Sequence, residues 1–186
     1  MPEQFARTLE SLLRTYFHAK DENRPHLMRS VFCEEAILEM DVKTVTISFP
    51  AVSRGVTAIA DALVRTFGQT YENVYSFYMQ RPPVGVTSFS CDWLVGMSEK
   101  ATGNARVGCG RYDWSFQHRI PHLVDRLVIT IEAMQVLPPD HLQTVLDWLL
   151  ALPYPWCSAT AACARAPHVE SLEPVLRYLG RDVVHV

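Results

Sequence analysis

Apolar residues between positions 5 and 68 recur at helical spacing in three stretches and alternate with polar residues between them. A single stripe at intervals of three and four predicts a first helix, and its members are Phe5, Leu9, Leu12, Leu13, Tyr16 and Phe17. Pro25 suits the first turn of a second, short helix that contains Leu27, Met28, Val31 and Phe32. Residues 36–42 and 44–49 have strand patterns, and the second alternates cleanly until Pro50. Residues 56–67 predict a third helix that ends near Gly68.

Strand patterns follow at residues 74–80, 89–98, 105–117 and 127–137. In the third of these, the apolar positions are odd before the glycines at 108 and 110 and even after them. We interpret this change as a β-bulge at the glycines, which would bend the sheet. The last strand is apolar on both faces, so it should be central and covered on both sides.

Two more helices are predicted beyond Pro138 and Pro139, around residues 142–150 and 172–179. This stretch is too short to form an independent domain. We therefore expect residues 1–137 to form the main domain and residues 138–186 to form a helical extension packed on that domain or on a partner subunit. The fold class is α+β: a strongly curved, mainly antiparallel sheet wrapped around three helices.

Composition and charge argue against several classes of function. The 186 residues are 48% apolar and 20% charged, which is typical of a soluble globular protein. A net charge of −3 without a basic stripe argues against nucleic acid, and no apolar run is long enough to span a membrane. The amino-terminal residues lack a secretory pattern, so we expect a cytoplasmic protein.

No motif points to a metal or a cofactor, and we expect neither. The five cysteines contain no CxxC pair and are interpreted as reduced thiols. His118 and His122 have metal-ligand spacing, but Pro121 lies between them in a turn-like stretch. The sequence Gly108-Cys109-Gly110 is followed by a strand rather than by the helix that a phosphate loop needs.

Four short motifs in this order resemble the nuclear transport factor 2-like superfamily, and within it the SnoaL-like and ketosteroid-isomerase-like proteins. They are Leu13-Arg-Thr-Tyr-Phe17 with the run from Val31 to Glu39, then Ser53-Arg-Gly-Val-Thr-Ala-Ile59, and Gly110-Arg-Tyr-Asp-Trp-Ser-Phe116. The resemblance covers roughly residues 5–137. It implies a cone-shaped fold that is open at one end, in a superfamily with isomerases, dehydratases, cyclases, epoxide hydrolases and non-catalytic adaptors, so the fold alone does not fix the reaction.

The resemblance also implies candidate catalytic residues. Tyr16 matches the position of the oxyanion-hole tyrosine of ketosteroid isomerases, although a buried core tyrosine explains its spacing equally well. Asp113 matches the acid that shares the oxyanion, and a carboxyl in an apolar cavity stays protonated to higher pH. The pattern leaves open which face of the sheet Asp113 occupies. The isomerase's general base aligns near Met40, and Asp41 lies one residue later on the opposite face, which argues against a true ketosteroid isomerase.

Arg111 and Asp113 also resemble the Arg-x-Asp pair of limonene-epoxide hydrolases, with Glu132 or Asp125 as the second carboxylate. The predicted pocket walls are the large apolar residues Trp93, Tyr78, Phe89, Trp114 and Met134. We expect a protein that binds a small, largely apolar molecule in the cone, with cofactor-free acid–base chemistry as one option. A non-catalytic ligand-binding module and an accessory or scaffold subunit are the alternatives. A homodimer through the outer face of the sheet is expected, because something must cover the last strand.

Overall fold

The computed structural model describes residues 8–182 of the chain, so the prediction that Phe5 belongs to the first helix lies outside the described residues. The helices are α1 (Leu9–Asp21), α2 (Val56–Ala60), α3 (Thr66–Thr70), α4 (Leu142–Leu150), α5 (Ala159–Ala164) and α6 (Glu173–Gly180). The strands are β1 (Phe32–Val42), β2 (Val52–Arg54), β3 (Tyr71–Tyr78), β4 (Ser88–Glu99), β5 (Ala105–Phe116) and β6 (Val124–Leu137). A π-helical turn (Asp61–Arg65) joins α2 to α3, and 3-10 turns occupy Pro25–Ser30, Pro139–His141 and Glu170–Leu172.

The six strands form one curved, open sheet in the order β2-β1-β6-β5-β4-β3. Strands β1 and β6 run parallel, and the other neighbouring pairs are antiparallel. The apolar stripe of α1 and the continuous helix from α2 to α3 pack inside the curve, against the inner side chains of β1, β4, β5 and β6. This arrangement confirms the predicted α+β cone.

The predicted strand at residues 44–49 is wrong. These residues have no regular structure, and Ile47 and Phe49 line a cavity inside the cone, while the short strand β2 pairs with β1 in their place. Val45 is fully exposed to solvent, whereas Ile47 is 7% exposed and faces the interior of the cone. The alternation of apolar and polar residues therefore arises here without any strand pairing. The second helix is also shorter than predicted, because Phe32 already begins β1.

The interpretation of the β5 pattern needs a correction. A register shift does lie beside Gly110, but the extra residue is Glu132 of β6, since Cys109 pairs with Ala133 and Gly110 with Ile131. Alternation along β5 itself is unbroken. Its odd positions up to Cys109 are buried on the outer face of the sheet, and its even positions from 112 onward are buried inside the cone. The change from odd to even apolar positions along β5 therefore arises because the first half of the strand is buried on the outer face of the sheet and the second half on the inner face.

The C-terminal helices cover the outer face of the sheet next to the glycine-rich half of β5. A second apolar cluster joins this face to α4, α5 and α6, and its large members include Phe77, Leu94, Val107, Trp148, Leu149 and Leu179. The Trp148 indole donates a hydrogen bond to the Ala162 carbonyl at 3.1 Å, which ties α4 to α5. The chain's own helices thus cover the end of β6, which was the reason for expecting a dimer there. The homodimer and the division of the chain at residue 137 stay predictions.

Within residues 8–182, no helix has the length and apolar character needed to cross a membrane.

Candidate functional site

Helix α1 delivers the polar groups of the site to the inside of the cone. The side chain of Thr8 caps the helix by accepting a hydrogen bond from the Ser11 amide at 3.1 Å, and the apolar stripe turns the helix toward the sheet. Tyr16 is fully buried, and its ring meets the edge of Trp114 at a centroid distance of 5.0 Å. The last turn of α1 places Lys20 and Asp21 next to the same interior.

The interior contains a small apolar cavity of about 50 Å³. Two of the five predicted wall residues, Trp93 and Met134, line it, whereas Tyr78, Phe89 and Trp114 are buried in the packed core around it. The remaining lining residues are Tyr16, Lys20, Met40, Ile47, Phe49, Leu63, Phe67, Val95, Met97, Tyr112, Ile129 and Ile131. Drug-sized ligands occupy sites of roughly 300–1,000 Å³, so aromatic and aliphatic side chains already fill most of the cone.

Lys20, Asp21 and Ser76 form a buried polar cluster, and Lys20 is the member that lines the cavity. The Lys20 ammonium donates to Asp21 Oδ1 at 2.6 Å and to Ser76 Oγ at 2.8 Å. Asp21 also accepts from the Ser76 hydroxyl at 2.9 Å and from the Ser76 amide at 3.0 Å. The exposed fractions of the Lys20 and Asp21 side chains are only 9% and 6%. The Lys20 Nζ lies 5.5 Å from the ring centre of Phe67, so an ammonium borders an otherwise apolar cavity.

Burial dominates the electrostatics of this region. Desolvation raises the pKa of the Asp21 carboxyl, and the attraction of Lys20 and the hydrogen bonds from Lys20 and Ser76 offset that rise only in part. Burial likewise raises the pKa of the Tyr16 phenol far above its usual range, against a smaller lowering by the Tyr112 hydroxyl. Within residues 8–182, four buried side-chain atoms have no partner at hydrogen-bonding geometry: Tyr16 Oη and the indole nitrogens of Trp93, Trp114 and Trp156. Of these residues, Tyr16 and Trp93 line the cavity. Such groups favour a ligand that can accept a hydrogen bond.

The sequence interpretation did not include Lys20 and Asp21 among the candidate site residues. A signal was present in the spacing. Lys20 lies four residues after Tyr16, and Asp21 lies four residues after Phe17, so both continue the apolar stripe. A charged pair on a buried stripe needs partners inside the fold, and Ser76 of β3 supplies them.

The structure resolves the face of Asp113. Its neighbours Tyr112 and Trp114 point into the cone, so Asp113 lies on the outer face, with 42% of its side chain exposed. It accepts hydrogen bonds from Ser90 Oγ at 2.5 Å and from Arg111 Nε at 3.3 Å. Tyr16 and Asp113 are therefore not brought together, whereas Arg111 and Asp113 do lie side by side.

Glu132 projects from the bulge of β6 and pairs with Lys43 at 2.8 Å near the surface. It is not among the residues that line the cavity. In the described part of the chain, His, Cys, Asp and Glu form no group of three or more that could hold a metal ion.

Comparisons with known proteins agree on the fold. No protein-family model matches the chain, and no curated protein matches its sequence. Among solved structures, a type 2 hexachlorocyclohexane dehydrochlorinase superposes with a TM-score of 0.55 at 10% identity, over 69% of this chain and 86% of the other. A putative isomerase from Rhodopseudomonas palustris gives 0.55 at 11% identity, over 67% and 89%.

A third similar structure is a nuclear transport factor 2-like superfamily protein from Salmonella enterica serovar Typhimurium, with a TM-score of 0.52 at 16% identity over 66% of this chain and 87% of the other. At these identities the likeness concerns the fold alone. The resemblance inferred from the sequence is confirmed at that level: the chain has the nuclear transport factor 2-like cone.

Proposed function

We propose that this nuclear transport factor 2-like cone binds a small, largely apolar molecule in its cavity and that Lys20 provides the polar contact. The observation that carries the proposal is the buried ammonium at the wall of an apolar cavity. An ammonium has three N–H donors, and Asp21 and Ser76 occupy two of them. The third donor is available to an acceptor oxygen on the ligand.

The same cluster would support cofactor-free acid–base chemistry of the isomerase, cyclase, dehydratase or epoxide-hydrolase type. Lys20, which lines the cavity, would donate a proton or a hydrogen bond to the ligand oxygen, and Asp21, whose pKa is raised by burial, would act on the ligand only through its hydrogen bond with Lys20. Of the catalytic candidates predicted from the sequence, Tyr16 lines the same cavity as Lys20. We leave Asp113, Arg111 and Glu132 out of the proposed site because they lie on the outer side of the sheet or near the surface.

A non-catalytic ligand-binding or accessory role is the second candidate. The observation in its favour is the size of the cavity, since about 50 Å³ leaves little room for both a substrate and its movement during a reaction. Ligand binding is common to both candidates and is therefore tested first.

Indole N–H signals in a ¹⁵N-labelled sample test the proposal, because each of the four tryptophans gives one signal. Trp93 lines the cavity, and Trp148 lies in the outer cluster, where it serves as an internal control. Saturable shifts of the Trp93 signal with benzaldehyde, larger than those with toluene, are expected while Trp148 stays unchanged. If neither compound moves the Trp93 signal, the proposed function is wrong.

The contribution of Lys20 is tested with the uncharged double variant Lys20→Met/Asp21→Asn. This variant should lose the preference for benzaldehyde over toluene. Arg177→Met, which removes an exposed cation from its pair with Glu173 on α6, away from the cavity, is the matched control and should keep the preference.

We further propose a cytoplasmic homodimer. The five cysteines are free thiols, which suits a reducing compartment. Light scattering coupled to gel filtration would test the dimer.

A further inference from the structure

A groove of about 480 Å³ lies between residues 47–54 and the helix from α2 to α3, directly next to the cavity. The two spaces share three wall residues, Ile47, Phe49 and Phe67. Phe49 and Phe67 stack on each other at a centroid distance of 6.4 Å. These three side chains form a partition between a space too small for most ligands and one of ordinary ligand size.

We infer that the cavity and the groove are two halves of one ligand site and that residues 43–50, the gate segment, open the partition between them. The inference rests on the proposed function for its ligand, but the gate itself does not depend on that ligand. The site would accept an elongated molecule without net charge, because the groove carries one basic residue, Arg54, and one acidic residue, Asp61, beside its hydroxyls. Its apolar end would enter the cavity, and its hydrogen-bonding end would stay among the groove hydroxyls of Ser48, Ser53, Thr66 and Thr70.

The gate segment is attached to the molecule at few points. Its start is fixed by the Lys43 amide, which donates to the Ile131 carbonyl at 2.9 Å, and by the Lys43–Glu132 ion pair. In the described residues, Thr46 makes the other hydrogen bonds from the segment to the rest of the fold: its hydroxyl donates to the Met134 carbonyl at 2.5 Å, and its carbonyl accepts from Arg106 at 2.6 Å. A segment with so few bonds opens at a lower free energy than the sheet around it.

The opposite wall of the partition is also irregular. The helix that carries Phe67 contains the π-helical turn Asp61–Arg65, within which Ala62 lines the groove and Leu63 lines the cavity. Single π turns inside α-helices are frequent at functional sites, because the extra residue redirects neighbouring side chains. Both walls at the partition therefore depart from regular structure.

Hydrogen–deuterium exchange of the indole N–H groups tests the gate without any ligand. The Trp93 indole is 4% exposed and lines the cavity, so its exchange requires water to enter. Ile47→Ala removes part of the partition, and Thr46→Val removes the bond to Met134. Each should accelerate exchange at Trp93 at least tenfold. Val45→Ala deletes an aliphatic group from a fully exposed position of the same segment and should leave the rate within twofold of wild type.

Trp148 separates gate opening from general loss of stability. Equal acceleration at Trp93 and Trp148 in Ile47→Ala and Thr46→Val would overturn the gate, and so would unchanged exchange at Trp93. The composite site is then tested with prodan, an elongated neutral fluorophore, which should shift both the Trp93 indole and the Ser53 amide. Saturable shifts at only one of these two positions would overturn the composite site. The exchange result stands independently of whether benzaldehyde binds, so failure of the gate and failure of the proposed function are distinguishable.

Discussion

Replacing Lys20 by Met should destabilise the protein far more than replacing an exposed lysine. The side chains of Lys20 and Asp21 are 9% and 6% exposed, which places them among buried ion pairs. Removing one partner of such a pair leaves an uncompensated buried charge and costs about 3–5 kcal/mol. Small domains are stable by roughly 5–15 kcal/mol, so this single change should remove a large share of the free energy of unfolding.

Urea denaturation at pH 7 measures this cost, with two variants as references. Lys43→Met breaks a pair whose side chains are 50% and 26% exposed, and it should cost below about 1 kcal/mol. Lys20→Met/Asp21→Asn removes both charges and should recover most of the loss. A cost for Lys20→Met no larger than that for Lys43→Met, at unchanged m-value, would refute the buried-pair reasoning.

The loss of unfolding free energy in Lys20→Met should depend on pH because of Asp21. Its pKa is raised in the folded state, so the folded protein binds a proton more readily than the unfolded chain does. Stability contributed by this group is therefore present at low pH and falls as pH rises from the usual aspartate range through the raised pKa. The free-energy penalty of Lys20→Met should accordingly shrink as pH falls through the raised pKa toward the usual aspartate range.

Three further substitutions test other parts of the structure by urea denaturation. Gly110→Ala would place its Cβ 1.8 Å from the Thr130 carbonyl oxygen and should cost at least about 1–3 kcal/mol, whereas Gly180→Ala, whose Cβ has no neighbour closer than 4.0 Å, should be tolerated. Leu149→Ala empties part of the outer cluster, where Leu149 is 1% exposed, and should cost about 2–5 kcal/mol; a near-neutral result would show that α4 is not part of the folded core. Asp113→Asn should change stability by less than about 1 kcal/mol and should leave the benzaldehyde shift of Trp93 intact.

The elements with strong periodicity were predictable from the sequence. The stripe of α1, the third helix and the four later strands each repeat at one period over two or more turns or several alternations, and the structure confirms them. Residues 44–49 alternate equally well, but a strand also needs a partner strand, and no local pattern reports whether one is available. Val107 and Cys109 are buried on the outer face by helices that come later in the sequence. Without those helices in view, the change in the apolar pattern of β5 was interpreted as a bulge in that strand, whereas both faces of the sheet are covered.

The candidate site was less predictable because its polar groups depend on tertiary contacts. Tyr16 was a candidate because of the family resemblance, and Trp93 was a candidate because it is a large apolar residue of a predicted strand. Lys20 and Asp21 look like an ordinary solvated helix end until Ser76 is placed beside them by β3. The side of the sheet that Asp113 occupies depends on the register of β5, which the sequence pattern left open.

A crystal structure under xenon pressure tests most directly whether the cone receives an apolar guest. Xenon enters dry apolar cavities and gives anomalous density without any assumption about the natural ligand. The account predicts a xenon peak bounded by Leu63, Trp93 and Met134 in the cavity of about 50 Å³. Xenon found elsewhere in the crystal, with none inside the cone, would contradict it.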